Sequence, residues 1–177
     1  MKLFTIFVGI LGFFALVFVI SLFFPRQYRI EKSTLIHKPV SSTYGYLNNI
    51  KNWSDWSPWN TSLDSSMVSF YSVNNSGIGA THYFRGGLVG AGRFKITESI
   101  LNQKIHYDLS INEGQMHSEA TFYFKAVHAG TQLYWVDSGD VGLNPLFRYL
   151  LPSKIHETER NFEDGLKAIK LAAETKL

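Results

Sequence analysis

The sequence predicts an α+β protein in which a curved antiparallel sheet packs against a long C-terminal helix, with one transmembrane helix in front. Three observations carry this expectation. Residues Leu3 to Phe24 form an unbroken apolar run whose only interruptions are Thr5, Gly9, Gly12 and Ser21. Between Gln27 and Asp140, short alternating segments are joined by tight, turn-rich links. From Ile155 onward, apolar residues recur at the spacing of a helix face.

The apolar run sets the surroundings of everything after it. Its 22 residues would extend roughly 33 Å as a helix, enough for a hydrocarbon core of about 30 Å. A cleaved signal peptide fits less well, because the run exceeds the usual apolar segment and bulky Leu22, Phe23 and Phe24, not a small-x-small site, precede Pro25. Residues 1–25 are therefore expected to be an uncleaved anchor and residues 26–177 one ligand-binding domain. Arg26, Arg29, Lys32 and Lys38 outnumber Lys2 and the α-amine, a modest positive-inside preference for a cytoplasmic domain on a single-pass cell-membrane protein. The absence of cysteine leaves the compartment open. With 16 basic and 14 acidic residues after Phe24 and no run of either sign, nucleic acid is not an expected partner. An aromatic content of 15% points instead to rings that fill a core or line an apolar pocket.

Element by element, Gln27 to His37 reads as a strand stopped by Pro39, and Tyr44, Leu47 and Ile50 mark a short helix weakened by Gly45. Strands follow at Met67 to Val73, Thr81 to Arg85, Gly92 to Ile100, Lys104 to Asn112, His117 to Val127 and Thr131 to Asp140. Links as short as Leu101-Asn102-Gln103 and His128-Ala129-Gly130 require antiparallel neighbours. The closing helix carries Ile155, Phe162, Leu166, Ile169 and Ala173 on one face, which is expected to lie on the concave side of the sheet. Asn144-Pro145, with Leu146, Phe147, Leu150 and Leu151, reads as a separate apolar element that could serve as a lid, a bilayer contact or a core edge.

Alternation then sorts the candidates for chemistry. On Lys104 to Asn112, Ile105, Tyr107, Leu109 and Ile111 face inward, leaving His106 and Asp108 toward water. Leu133, Trp135 and Asp137 share a face, as do Phe94, Ile96 and Glu98, so Asp137 and Glu98 are the two carboxylates expected on the apolar side. Either could be a general base with a raised pKa, or a strand-end acid paired with a group such as Arg85 or Arg93. Trp53, Trp56 and Trp59 read either as a lip over a cavity or as a plug in the core. His37, His82, His106, His117, His128 and His156 do not cluster in sequence, and His82 borders the expected cavity mouth. No zinc, nucleophile-elbow or phosphate-loop motif is present, so no metal, cofactor or catalytic motif is assigned.

The strand ending Ile36-His37-Lys38-Pro39, the Trp53 to Trp59 cluster, Gly77-Ile78-Gly79-Ala80-Thr81, Gly86 to Gly92, Gly130-Thr131 with Trp135, and Phe162 to Lys170 together resemble the polyketide cyclase/dehydrase family of the START-like helix-grip superfamily. The resemblance covers about Tyr28 to Glu174. It implies a cavity between sheet and C-terminal helix, holding a lipid, quinone or polyketide-like molecule. The expected lining is Trp53, Trp56, Trp59, His82, Phe84, Phe94, Ile96, Tyr107, Leu109, Phe122, Phe124, Trp135, Phe162 and Leu166. A cyclase or dehydratase using a cavity carboxylate, and a ligand-free protein-docking adaptor, are the alternatives.

Overall fold

A computed structural model describes residues 2–57, 60–112, 116–142 and 144–176, with 2, 3, 5 and 116 described by backbone alone. The elements in order are α1 (Lys2–Ser21), β1 (Gln27–Ile36), α2 (Val40–Asn48), a 3₁₀ turn (Ile50–Asp55), β2 (Val68–Tyr71), β3 (Thr81–Gly86), β4 (Gly90–Ile100), β5 (Lys104–Ile111), β6 (Met116–Val127), β7 (Gly130–Asp140) and α3 (Pro145–Lys176). Each expected strand is present, with ends shifted by a residue or two. Ile50, expected in the first short helix, instead opens the 3₁₀ turn, and Pro39 stands one residue ahead of α2.

The seven strands form one antiparallel sheet in the order β1-β7-β6-β5-β4-β3-β2. Hairpins explain neighbours β3 to β7: Asn102 supplies the left-handed residue of the β4–β5 turn at φ 60°, a conformation asparagine tolerates better than most. Local connection does not explain β1, which pairs with β7 along its whole length, from Gln27↔Asp140 to Ile36↔Thr131. That pairing brings the start of the domain beside the strand that leads into α3. The free edge at the other side is β2.

Helix α3 crosses the concave face with Phe162, Leu166, Ile169 and Ala173 buried. Gly165 permits the approach, since a Cβ there would stand 2.6 Å from the Trp135 ring. The Phe162 and Trp135 rings consequently stack at 4.0 Å and 11°. The element around Asn144-Pro145 is not separate: Pro145 to Leu151 are the first two turns of α3, which continues through Pro152. Proline has no amide hydrogen, so the carbonyl four residues earlier loses its ladder partner without ending the helix.

One half of the concave face is solid. Trp53, fully buried, donates from Nε1 to the Leu47 carbonyl at 2.8 Å and meets Phe94, Tyr107 and Phe122 edge-on at 5.5, 4.7 and 6.2 Å. Such edge-to-face contacts are the favoured packing of aromatic rings.

Helix α1 is 20 residues long, and its described large apolar side chains from Phe4 to Ile20 are exposed except Val17, which is half-buried. Among the described residues no helix is long and apolar enough to cross a membrane. At its C-terminal end α1 docks on α3, as described below.

Candidate ligand cavity

A cavity of about 530 Å³ lies between the sheet and the first half of α3. Its sheet wall comprises Tyr28 and Ile30 of β1, Phe94 of β4, Tyr107 and Leu109 of β5, His117, Ser118 and Ala120 of β6, and Trp135 and Asp137 of β7. Its helix wall runs from Phe147, Leu150 and Leu151 through Ile155 and Thr158 to Phe162, with Trp56 closing the inner end. The volume suits a small organic ligand, and an apolar lining with a few polar groups is typical of such sites. A shallower depression of about 500 Å³ at the β2 edge, beside Phe70 and Arg85, contains no buried titratable group.

Asp137 is the polar focus of the cavity, with only 6% of its surface exposed. Its β1 neighbour is Ile30 and its β6 neighbour Ala120, which puts Tyr28 and Ser118 on the diagonals. The Tyr28 hydroxyl donates to Asp137 Oδ1 over a long 3.4 Å, and Ser118 Oγ to Oδ2 over 3.5 Å. Burial pushes the Asp137 carboxyl up to about 6, and the two hydroxyls only partly oppose this by favouring the charged form. Burial, reinforced by the Asp137 charge, raises Tyr28 to about 12. Deeper in, Trp135 Nε1 donates to Tyr107 Oη at 3.0 Å, and burial holds that phenol neutral by pushing its pKa up.

Of the residues expected to line a cavity, Trp56, Phe94, Tyr107, Leu109, Trp135 and Phe162 meet at this one. Trp53, His82, Phe84, Ile96, Phe122, Phe124 and Leu166 are instead buried in the solid half of the core. Trp59 lies outside the described residues. His82 is sandwiched between Tyr71 and Phe94 at 4.7 and 6.1 Å, with Nε2 at 2.9 Å from Ser69 Oγ. Burial lowers its pKa to about 4, which keeps the imidazole neutral.

Glu98 does not face the cavity, contrary to the alternation that placed it there. The β4–β5 register shifts between Ile96 and Glu98, and one inserted residue turns the following side chains to the opposite face. The Glu98 carboxylate is instead paired with Lys104. Conversely, Tyr28, Ser118 and Thr158 enter the lining without having been singled out, while Phe147, Leu150 and Leu151, expected as a separate lid, bilayer contact or core edge, join it as part of α3. Ser118 continues the alternation of Ala120, Phe122 and Phe124, but Tyr28 depends on the long-range β1–β7 pairing, which has no local signal.

On the outer face, one ligand atom each of His106, Asp108 and Glu119 lies within 4.8 Å of the others. Cross-strand pairing accounts for the group: Asp108 stands opposite Glu119, whose carboxylate is 3.7 Å from His106 and 3.2 Å from His117.

This architecture defines an α+β helix-grip domain, an antiparallel sheet gripping a C-terminal helix. Solved structures of low sequence identity share this fold. They include Ara h 8.0201 (13% identity, TM-score 0.58, 84% of this chain and 99% of that one). Others are the Aha1 dimer from Colwellia psychrerythraea (18%, 0.54, 83% and 96%) and DynU16 from the dynemicin biosynthetic locus (13%, 0.58, 86% and 48%). At these identities the likeness shows the fold alone. No family model and no curated protein matches the chain.

Proposed function

We propose that this protein is a single-pass membrane protein whose START-like domain holds a hydrophobic small molecule, a lipid, quinone or polyketide-like compound, between its sheet and α3. The observation that carries the reading is the 530 Å³ apolar cavity with one nearly buried carboxylate, Asp137, in its wall. Apolar walls favour an apolar body by removing its surface from water. The Tyr28–Asp137–Ser118 group then selects an end of the molecule able to hydrogen-bond.

The anchor reading is supported by the 22-residue run from Leu3 to Phe24 and by the exposure of apolar side chains along α1. A helix apolar on every side and not buried in a core suits lipid better than water. Tethering would concentrate the domain where such ligands reside, with the domain on the cytoplasmic side by the positive-inside bias.

Native mass spectrometry of the full chain, released from mild-detergent micelles after purification from its own host, tests the carrier reading. The expected result is one apolar molecule per chain, lost or weakened on Asp137→Asn. A ligand-free mass from every preparation overturns it.

Asp137 also favours a second reading, an enzyme acting on the bound molecule. A carboxyl with a pKa of about 6 is suited to proton abstraction near neutral pH. Under that reading Asp137→Asn abolishes turnover while ligand remains bound. The adaptor reading finds less support, because Trp53 and Trp56 are both buried and the cavity is open.

A further inference from the structure

The C-terminal end of α1 meets the first turns of α3 beside the cavity mouth. Arg148, 4% exposed, donates from Nη1 to the Ser21 carbonyl at 3.1 Å and from Nε to the Gly142 carbonyl at 2.9 Å. A cation at the C-terminal end of α1 also complements the negative end of that helix dipole. One residue on, the Tyr149 hydroxyl donates to the Val17 carbonyl at 3.0 Å, and its ring lies 4.9 Å from that of Phe24. The first two turns of α3 are thus strapped alongside the last turns of α1.

Those same turns expose Leu146, Phe147 and Leu150, at 62%, 55% and 48%, although Phe147 and Leu150 also line the cavity. One strip of helix therefore forms both the cavity wall and a bare apolar surface. Val17 lies four residues before the end of α1 at Ser21, about 6 Å of helix. A contact from Tyr149 to Val17 consequently draws the strip below the end of α1. Farther along α3, Lys154 and Glu157 pair with each other and mark the side of the mouth that faces water.

We propose that the cavity opens toward the bilayer, with Leu146, Phe147 and Leu150 inserted among the lipids as a portal, so that ligand passes sideways between membrane and cavity without crossing water. This rests on the membrane-anchored carrier reading and adds the route of exchange. The occupant of the exposed strip is the bilayer itself, because the strip is continuous with the apolar helix to which it is strapped. Pro152, where a main-chain hydrogen bond is missing, lies just beyond the portal and gives the strip a point about which to bend.

The chain contains no cysteine, so single labels can be placed without background. The full chain is reconstituted in phosphatidylcholine vesicles, with or without dibrominated phosphatidylcholine as a collisional quencher. Bimane is attached in turn to Leu146→Cys, Phe14→Cys, Val73→Cys and Leu171→Cys, all at exposed positions. Quenching at residues 14 and 146 at least threefold stronger than at 73 and 171 is the expected result. Quenching at 14 with none at 146 overturns the portal and spares the anchor; none at 14 overturns both. Strong quenching at 146 in a protein that native mass spectrometry finds always empty would overturn the carrier reading while leaving the placement of α3 against lipid standing.

Discussion

The two halves of the concave face use the same kinds of residue to opposite ends. Around Trp53, the rings of Phe94, Tyr107 and Phe122 interlock, and on the other side of Phe94 a neutral histidine, His82, is sealed against Tyr71. Around Asp137, only a few residues along the same strands, side chains of similar type stand apart and leave 530 Å³ of space. The 3₁₀ turn explains much of the difference, since it inserts Trp53 where the sheet would otherwise face α3. Packing and vacancy are thus decided by which element covers each stretch of sheet.

Filling the solid half contributes most, so Trp53→Ala is expected to have the largest effect, a loss of about 3–5 kcal/mol in stability. Chemical denaturation monitored by circular dichroism measures it, and a loss below about 1 kcal/mol would remove the distinction between the halves.

The second contrast is one of sign with pH. Unfolded, His82 takes up a proton near pH 6.5, whereas in the fold it does so only near 4. Its contribution is therefore present above pH 6.5 and lost as pH falls toward 4, by up to about 3 kcal/mol. In His82→Gln the stability is lower overall but nearly flat over that window. Denaturation at half-unit pH steps compares the slopes; identical slopes in the two proteins would assign the acid sensitivity elsewhere.

Asp137 works in the other direction. Its carboxyl titrates near 6 when folded and near 3.8 otherwise, so its contribution is present below about pH 4 and lost as pH rises through 6. Asp137→Asn is expected to gain up to about 2 kcal/mol at pH 8 relative to wild type, and much less at pH 4. Thermal shift assays at the two pH values test this smallest of the three effects. An equal gain at both would mean that the carboxyl is solvated.

Strand periodicity, tight links and the apolar stripe of α3 were legible in the chain, because the residues that form a hairpin or a helix face are neighbours in sequence. Asp137 and the inward rings of β5 and β7 followed from alternation for the same reason. Glu98 was misplaced because one extra residue in β4 inverts the alternation, and nothing in Thr97 or its neighbours announces the insertion. The continuation of α3 back to Pro145 was equally hidden, since a proline within a helix resembles a stop until tertiary contacts, here Arg148 and Tyr149 against α1, hold the earlier turns in place. Only the folded chain could divide the aromatic residues between plug and cavity wall, or bring Tyr28 beside Asp137. Local order follows from local sterics and polarity, whereas a cavity is defined by which distant segments fail to touch.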